Sequence, residues 1–337
     1  MKRIVLLLLT VIVSAALVFS GCALRTSGTS GTSGTSGTSG TSGTSGTSGT
    51  VSAAGTAQTS VGLVGKVSDP QKVVALSTSL ADIWQLAGGD LYGVSTEVMM
   101  SKKELGLSDD IKTVGSLKDP DAEKILAMDP DMVILTPNLE NHRKLAELLE
   151  DRGIAVYKAD VASPKEYLQV LGDFCDITGR KDLYKKNGTD VIARISKLLN
   201  KVPKEDTMPT ALVLRAYSSG VDVKVRDNVA CDILASAGIK NVAEGNKSLE
   251  KLSAESVIAA DPDYIFITVM GPNESGAMKS IYSAMGSNAA WKKLSAVKAG
   301  HVYVLPHDLF QLKPNDRWDE AYRYILKLVW PEVYGNE

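Results

Sequence analysis

Two stretches of this chain, about 130 residues apart, read alike, and that repeat limits the possible folds more than any other feature. The first runs Pro120-Asp121-Ala122-Glu123-Lys124-Ile125-Leu126-Ala127-Met128-Asp129-Pro130-Asp131-Met132-Val133-Ile134. The second runs Leu252-Ser253-Ala254-Glu255-Ser256-Val257-Ile258-Ala259-Ala260-Asp261-Pro262-Asp263-Tyr264-Ile265-Phe266-Ile267. Each reads as a helix, an Asp-Pro-Asp turn that stops it because proline drives its predecessor out of the helical region, and a short apolar strand.

Strand and helix alternate around both copies. Strands are expected at 73–77, 92–95, 132–136 and 154–158, with helices at 79–87, 120–127 and 141–152 between them. Helices at 164–178 and 181–202 follow, the second carrying Leu183, Val191, Ile192, Ile195, Leu198 and Leu199. The alternation restarts with a strand at 211–214, a helix near 229–237 and the second copy of the repeat. A helix at 289–294, a strand at 301–305 and a last helix at 316–329 complete it. Such alternation predicts parallel α/β sheets with helices on both faces, and ligands beyond the carboxyl ends of the strands. At 337 residues, 44% of them hydrophobic, the chain exceeds what one core usually organises, roughly 250 to 300 residues. The expected division is an α/β lobe over 61–180, a bridging helix over 181–202 and a second α/β lobe over 203–337. No turn-length linker separates the halves, so the joint should be stiff.

Ahead of the lobes, residues 1–21 read as a secretory signal, with Lys2-Arg3, an apolar run and small residues before Cys22. The run is too short for a good membrane span. Its ending resembles a bacterial lipobox: Ser20, Gly21 and Cys22 fit, while Phe19 stands where leucine is usual. The resemblance implies cleavage before Cys22 and lipid on that cysteine, the alternative being an ordinary signal with an incidental cysteine. Acyl chains gain about 0.8 kcal/mol per buried CH₂, enough for several of them to hold the chain on a membrane. Residues 26–49 are eight Thr-Ser-Gly triplets, and 22–60 as a whole lacks the apolar side chains needed to offset ordering. A disordered tether is expected there, reaching roughly 30 to 35 Å. Its length suits the surface of a thick-walled, Gram-positive cell.

Removing the signal leaves 35 basic against 39 acidic residues, which gives no concentrated basic surface for nucleic acid. Besides Cys22, the chain has Cys175 and Cys231, whose spacing fits neither a disulfide framework nor a CxxC site and which read as small buried hydrophobes.

The opening Val73-Val74-Ala75-Leu76-Ser77-Thr78-Ser79-Leu80-Ala81-Asp82-Ile83, the block Thr113-Val114-Gly115-Ser116-Leu117 and the paired Asp-Pro-Asp units together resemble a known family. It is that of the ABC-transporter substrate-binding proteins for iron-siderophores, haem or vitamin B12, and the resemblance covers nearly all of 72–331. It implies two Rossmann-like lobes joined by one long interdomain helix, the class III substrate-binding fold. It also implies an extracytoplasmic, lipid-anchored monomer that delivers its solute to an ABC permease dimer and its ATPase. Glu123 and Glu255 match the family's glutamates that meet arginine pockets on the permease; the alternative is that each is a solvated helix glutamate.

Strand-end positions supply the ligand candidates: Ser77, Thr78, Ser79, Trp84 and Asn138 in the first half, and Arg215, Tyr217, Met270, Phe310, Arg317 and Trp318 in the second. A planar macrocycle wants aromatic faces such as Trp84, Tyr217 and Trp318. An anionic chelate wants Arg215, Arg317 or Lys313. Trp84 could equally belong to the core, and Trp318 could staple the last helix to its lobe. Three histidines, His142, His301 and His307, are too scattered for a protein-built metal site. One axial ligand from His142, His307, Tyr217 or Met99 would suffice for haem. The expectation is a ferric, siderophore-like chelate as cargo, with a corrinoid or haem as the alternative, and no cofactor. A surface-anchored enzyme on the same architecture is the reading of another class. No GxSxG, HExxH or P-loop motif supports it, and no catalytic residue is assigned.

Overall fold

Wholly apolar strand runs dictate parallel pairing here, because only helices on both faces can bury them. The computed structural model describes residues 62–335 except 68, 205, 250, 251, 272 and 287–290. Those residues belong to one compact unit, Thr59–Glu337, and the signal, Cys22 and the 22–60 tether lie outside them. The first sheet has six strands: β1 (Gly62–Val64), β2 (Val73–Ala75), β3 (Gly93–Val94), β4 (Lys112–Thr113), β5 (Met132–Leu135) and β6 (Ala155–Lys158). Their order is β1-β6-β5-β2-β3-β4, parallel except for β1, which adds antiparallel to the edge at β6. The second sheet has five: β7 (Thr210–Tyr217), β8 (Gly220–Lys224), β9 (Lys240–Asn241), β10 (Tyr264–Val269) and β11 (Val302–Val304). β10 pairs parallel with β7 and β11, β9 pairs parallel with the start of β7, and β8 folds back antiparallel on its end. The α/β class and the two sheets follow the sequence expectation. β8 and its hairpin turn at Ser218-Ser219 were not anticipated, because that segment has no run of apolar residues.

The repeat is structural as well as textual. The helices Ala122–Ala127 and Ala254–Ala260 each end at an aspartate in left-handed backbone, Asp129 (φ 48°) and Asp261 (φ 35°), which aspartate tolerates better than most residues. The second aspartate of each turn then fastens the neighbouring strand. Asp131 Oδ2 accepts from the Gln71 and Lys72 amides at 2.7 and 2.8 Å, just ahead of β2. Asp263 Oδ2 accepts from the amide and hydroxyl of Thr210 at 2.8 and 2.7 Å, at the start of β7.

Between the sheets the chain is helical from Lys181 to Leu199, with one π turn at Lys185–Thr189. It ends three residues before the expected 202, since Pro203 lacks a helical amide and constrains Val202. The π turn frees the Asn187 carbonyl to accept from Tyr167 Oη at 2.6 Å, while Asn187 Nδ2 donates to the Leu86 carbonyl at 2.7 Å. A Cβ at Gly188 would stand 3.0 Å from the side-chain ends of Leu168 and Leu171, which would have to give way. One continuous core holds Trp84, Phe174, Val191, Ile195, Leu198, Trp318, Tyr322 and Ile325 from both sides of this helix. Arg194 also grips Asp319 of the last helix, Trp318–Val329, through two bonds of 2.7 and 3.1 Å. The joint is thus packed rather than loosely tied. The helix expected at 289–294 differs: 289 and 290 lie outside the described residues, Trp291–Lys293 is a 3₁₀ turn, and the α-helix is Ser295–Ala299.

Candidate ligand-binding cleft

One connecting segment, residues 311–317, ties the strand ends of the two sheets together. Asn315, held in left-handed backbone (φ 51°), donates from Nδ2 to the Ser79 carbonyl at 3.0 Å and to Asp82 Oδ2 at 2.6 Å. Two residues earlier, Lys313 Nζ lies 3.9 Å from Asp160 Oδ1, just beyond the end of β6. Burial holds the Lys313 pKa below the ordinary lysine value; Asp160, Glu166 and Asp227 act against that shift, and the nearby charge of Arg215 adds to it. Arg215 is half-buried in β7; its Nη2 donates to the Asp227 carbonyl at 3.2 Å, and its Nε is buried without a partner. Two cations of the second lobe, near enough for the charge of one to act on the other, thus face the acidic strand end of the first lobe. Such a floor can hold an anion against both lobes.

The other candidates fall into two groups. Ser77, Thr78 and Ser79 are half-buried at the N-terminal end of the helix Thr78–Leu86, and the Ser77 side chain makes no capping bond. Asn138 is exposed beyond β5 and donates to Asp160 Oδ2 at 2.6 Å. Tyr217 and Met270 are half-buried at the ends of β7 and β10. Arg215 and Tyr217, expected just past a strand, lie inside β7, because pairing with β8 extends it.

Trp84, Phe310 and Trp318 are corrected to core residues. Trp84 is 1% exposed, with its edge on Phe174 at 5.2 Å and its indole N–H bonded to the Asp90 carbonyl at 2.8 Å. Phe310 packs on Tyr324 at 6.0 Å, and Trp318 is fully buried. The helical spacing of Trp84 and the short helices around 307–318 turn these rings inward. Arg317 is half-exposed, but Asp308 and Glu320 already hold its guanidinium at 3.0 and 2.8 Å. Among the haem-ligand candidates, His142 is withdrawn: Nδ1 accepts from the Thr136 amide at 3.2 Å and Nε2 is 2.6 Å from the Leu117 carbonyl. Cys175 and Cys231 are buried, unbridged thiols that burial pushes up to about 11 and about 12.

Glu123 and Glu255 are both exposed in the first turns of their helices. Asp121 caps one helix and Ser253 the other, so neither glutamate is needed for capping.

Asp82 and Asn315 carried no strand-end signal of their own, and Asp160, two residues past the strand expected at 154–158, was not singled out. Only the crowding of cation, amide and indole in 312–318 pointed to this segment. Burial raises the Asp82 pKa to about 6, with Asp316 adding to the shift and Asn315 and Arg317 opposing it. Its unfolded value is 3.8. Stability linked to Asp82 is therefore full below that value and is lost as pH rises through about 6. Asp82→Asn keeps an acceptor for Asn315 and should flatten this dependence. At pH 7.5 it should raise Tm, on the order of 5 °C, from a gain of at most about 3 kcal/mol. Thermal melts across pH 4 to 8 that run parallel for both proteins would contradict this.

A family model described as periplasmic binding protein matches residues 73–309. The Fe(3+)-citrate-binding protein YfmC of Bacillus subtilis (strain 168) is 26% identical over 246 residues, covering 71% of this chain and 74% of that protein. The petrobactin-binding protein YclQ of the same organism is 24% identical over 246 residues, covering 70% and 75%. An ABC transporter substrate-binding protein from Listeria monocytogenes EGD-e has a similar fold, with TM-score 0.65 at 24% identity, over 78% of this chain and 99% of that one. So does S. aureus IsdE complexed with heme, with TM-score 0.64 at 20% identity, over 77% and 98%.

Proposed function

The chain belongs to the periplasmic binding protein family, and from that premise we propose that it captures an anionic ferric chelate outside the cytoplasm and passes it to an ABC permease. The observation that carries the choice of cargo is the pair Arg215 and Lys313 at the meeting of the lobes. A carboxylate- or catecholate-bearing chelate would neutralise both, and charge-assisted bonds of this kind are about twice as strong as neutral ones. The withdrawal of Trp84, Phe310 and Trp318 into the core removes the stacking faces that a haem or corrinoid would favour, leaving Tyr217 as the aromatic among the candidates. The names of the relatives that bind Fe(3+)-citrate and petrobactin support the same reading.

Ser77, Thr78, Ser79, Asn138, Tyr217 and Met270 complete the proposed cleft lining. Because one core runs through the joint, binding should draw on a largely pre-formed site with little closure. Glu123 and Glu255 are the proposed permease contacts, one from each repeat. Lipid on Cys22 would keep the protein, as a monomer, beside the permease and its ATPase. Transport, and not turnover, is the proposed activity.

Tryptophan fluorescence tests the cargo, since Trp84, Trp291, Trp318 and Trp330 are all buried and a bound ferric chelate quenches by energy transfer. Titration of the purified chain with ferric citrate, ferric catecholates, haem and cobalamin, with inner-filter controls, should give saturable submicromolar quenching by an anionic ferric chelate. Tight binding of haem or cobalamin alone would replace that cargo, and binding of none would remove the reading.

A further inference from the structure

Lys313 has a carboxylate beside it. Asp160 Oδ1 is 3.9 Å from its Nζ, while Asp160 Oδ2 is held by Asn138 Nδ2 at 2.6 Å. The pair crosses the cleft, with Asp160 following β6 of the first lobe and Lys313 in the 311–317 segment of the second. Both side chains keep some access to solvent, 39% for Asp160 and 21% for Lys313, so a solute can reach them. The remaining charged groups that act on Lys313 are Glu166, Asp227 and Arg215. Glu166 is tied to its own helix start, where Oε2 accepts from the Ala162 amide at 2.8 Å and the Ser163 hydroxyl at 3.0 Å. Asp227 sits in left-handed backbone (φ 54°) at the turn whose carbonyl takes Arg215. Asp160 is thus the carboxylate that Asn138 presents to Lys313 across the cleft.

We propose that Asp160, positioned by Asn138, is a built-in counter-ion of Lys313 that an entering ligand must displace, and so sets how much negative charge a ligand needs. This rests on the anionic-chelate reading of the same cleft. A chelate with free carboxylates offers Lys313 a better partner and restores its neutralisation. A neutral hydroxamate chelate offers none, and leaves the Asp160 pairing in place. Asp160 therefore acts as a specificity determinant, weakening the pull of Lys313 on anions so that only a ligand carrying enough negative charge displaces it.

Asp160→Asn keeps the shape and the bond to Asn138, and the purified full chain can be titrated with gallium(III) citrate, a diamagnetic probe. The variant should bind the probe about twofold to fivefold more tightly than the parent, the scale of one half-exposed ion pair. A neutral hydroxamate chelate of gallium, which does not compete for Lys313, should gain less than the citrate chelate, so discrimination between the two widens. A ligand-free readout is independent of cargo. In ¹³C-methylated protein, the Lys313 resonance, assigned with Lys313→Arg, should titrate at lower pH in Asp160→Asn than in the parent. Equal or weaker citrate binding in the variant, with saturable binding in the parent, overturns the displacement role. If neither protein binds gallium citrate, the anionic-chelate reading fails. The Lys313 resonance then decides the pairing alone, and an unchanged titration overturns it.

Discussion

Replacing Glu123 and Glu255 together by alanine is expected to abolish iron uptake by whole cells while leaving chelate affinity unchanged. Both carboxylates are exposed, and both stand in the first turn of a helix that another residue caps. Truncation therefore removes charge without unmaking the helix, and it lies outside the Arg215–Lys313 floor. On the proposed docking role, what it would remove is complementarity to a permease whose two halves each read one repeat. Charge across such a contact steers encounter and fixes register, and its loss acts mainly on association. Single replacements should leave partial uptake, because one lobe remains able to dock. Uptake of radiolabelled iron by cells carrying each variant, set beside fluorescence titration of the purified proteins, separates the two effects. Normal uptake by the double variant would end the docking role, and lost binding would relocate these residues to ligand capture.

The second large effect is expected in the cleft. Arg215→Met with Lys313→Met should weaken ferric citrate binding on the order of 100-fold, since each charge-assisted bond contributes about 1.5 to 3 kcal/mol and about 1.4 kcal/mol is tenfold. Methionine fills similar volume, so β7 and the 311–317 segment keep their packing. The loss should shrink as salt is raised, because part of it is long-range attraction. A neutral ferric hydroxamate should lose far less. Equal losses for charged and neutral chelates would mean that the pair shapes the cleft instead of recognising charge.

The repeated Asp-Pro-Asp unit made the fold legible before any coordinates, because its chemistry is local. Proline stops a helix within two residues, and an apolar tetrad such as Met132–Leu135 has few places to go except a covered sheet. The lipobox-like ending and the 26–49 triplets are also linear signals, but they fall outside the described residues. The cleft was less legible. Trp84, Phe310 and Trp318 looked like ligand faces because sequence reports a ring and not the direction it points. Lys313, Asp160, Asn315 and Asp82 meet only because residues separated by 153 and 233 positions come together across two lobes. No periodicity carries such a pairing. The odd composition of 312–318 was the one trace of it.

The π turn at Lys185–Thr189 bears on the packing of the joint. A helix is an angular vernier in which each residue advances the chain by about 100° and 1.5 Å. A π turn carries one residue more than the α-helix around it would need, and so resets the phase of everything downstream. The heading of every residue after it in the helix, Arg194 and its grip on Asp319 among them, thus depends on the residue count of a single turn. One residue gained or lost at Gly188 would turn Val191, Ile195 and Leu198 out of the shared core, so the bulge and the packing of the joint are specified together.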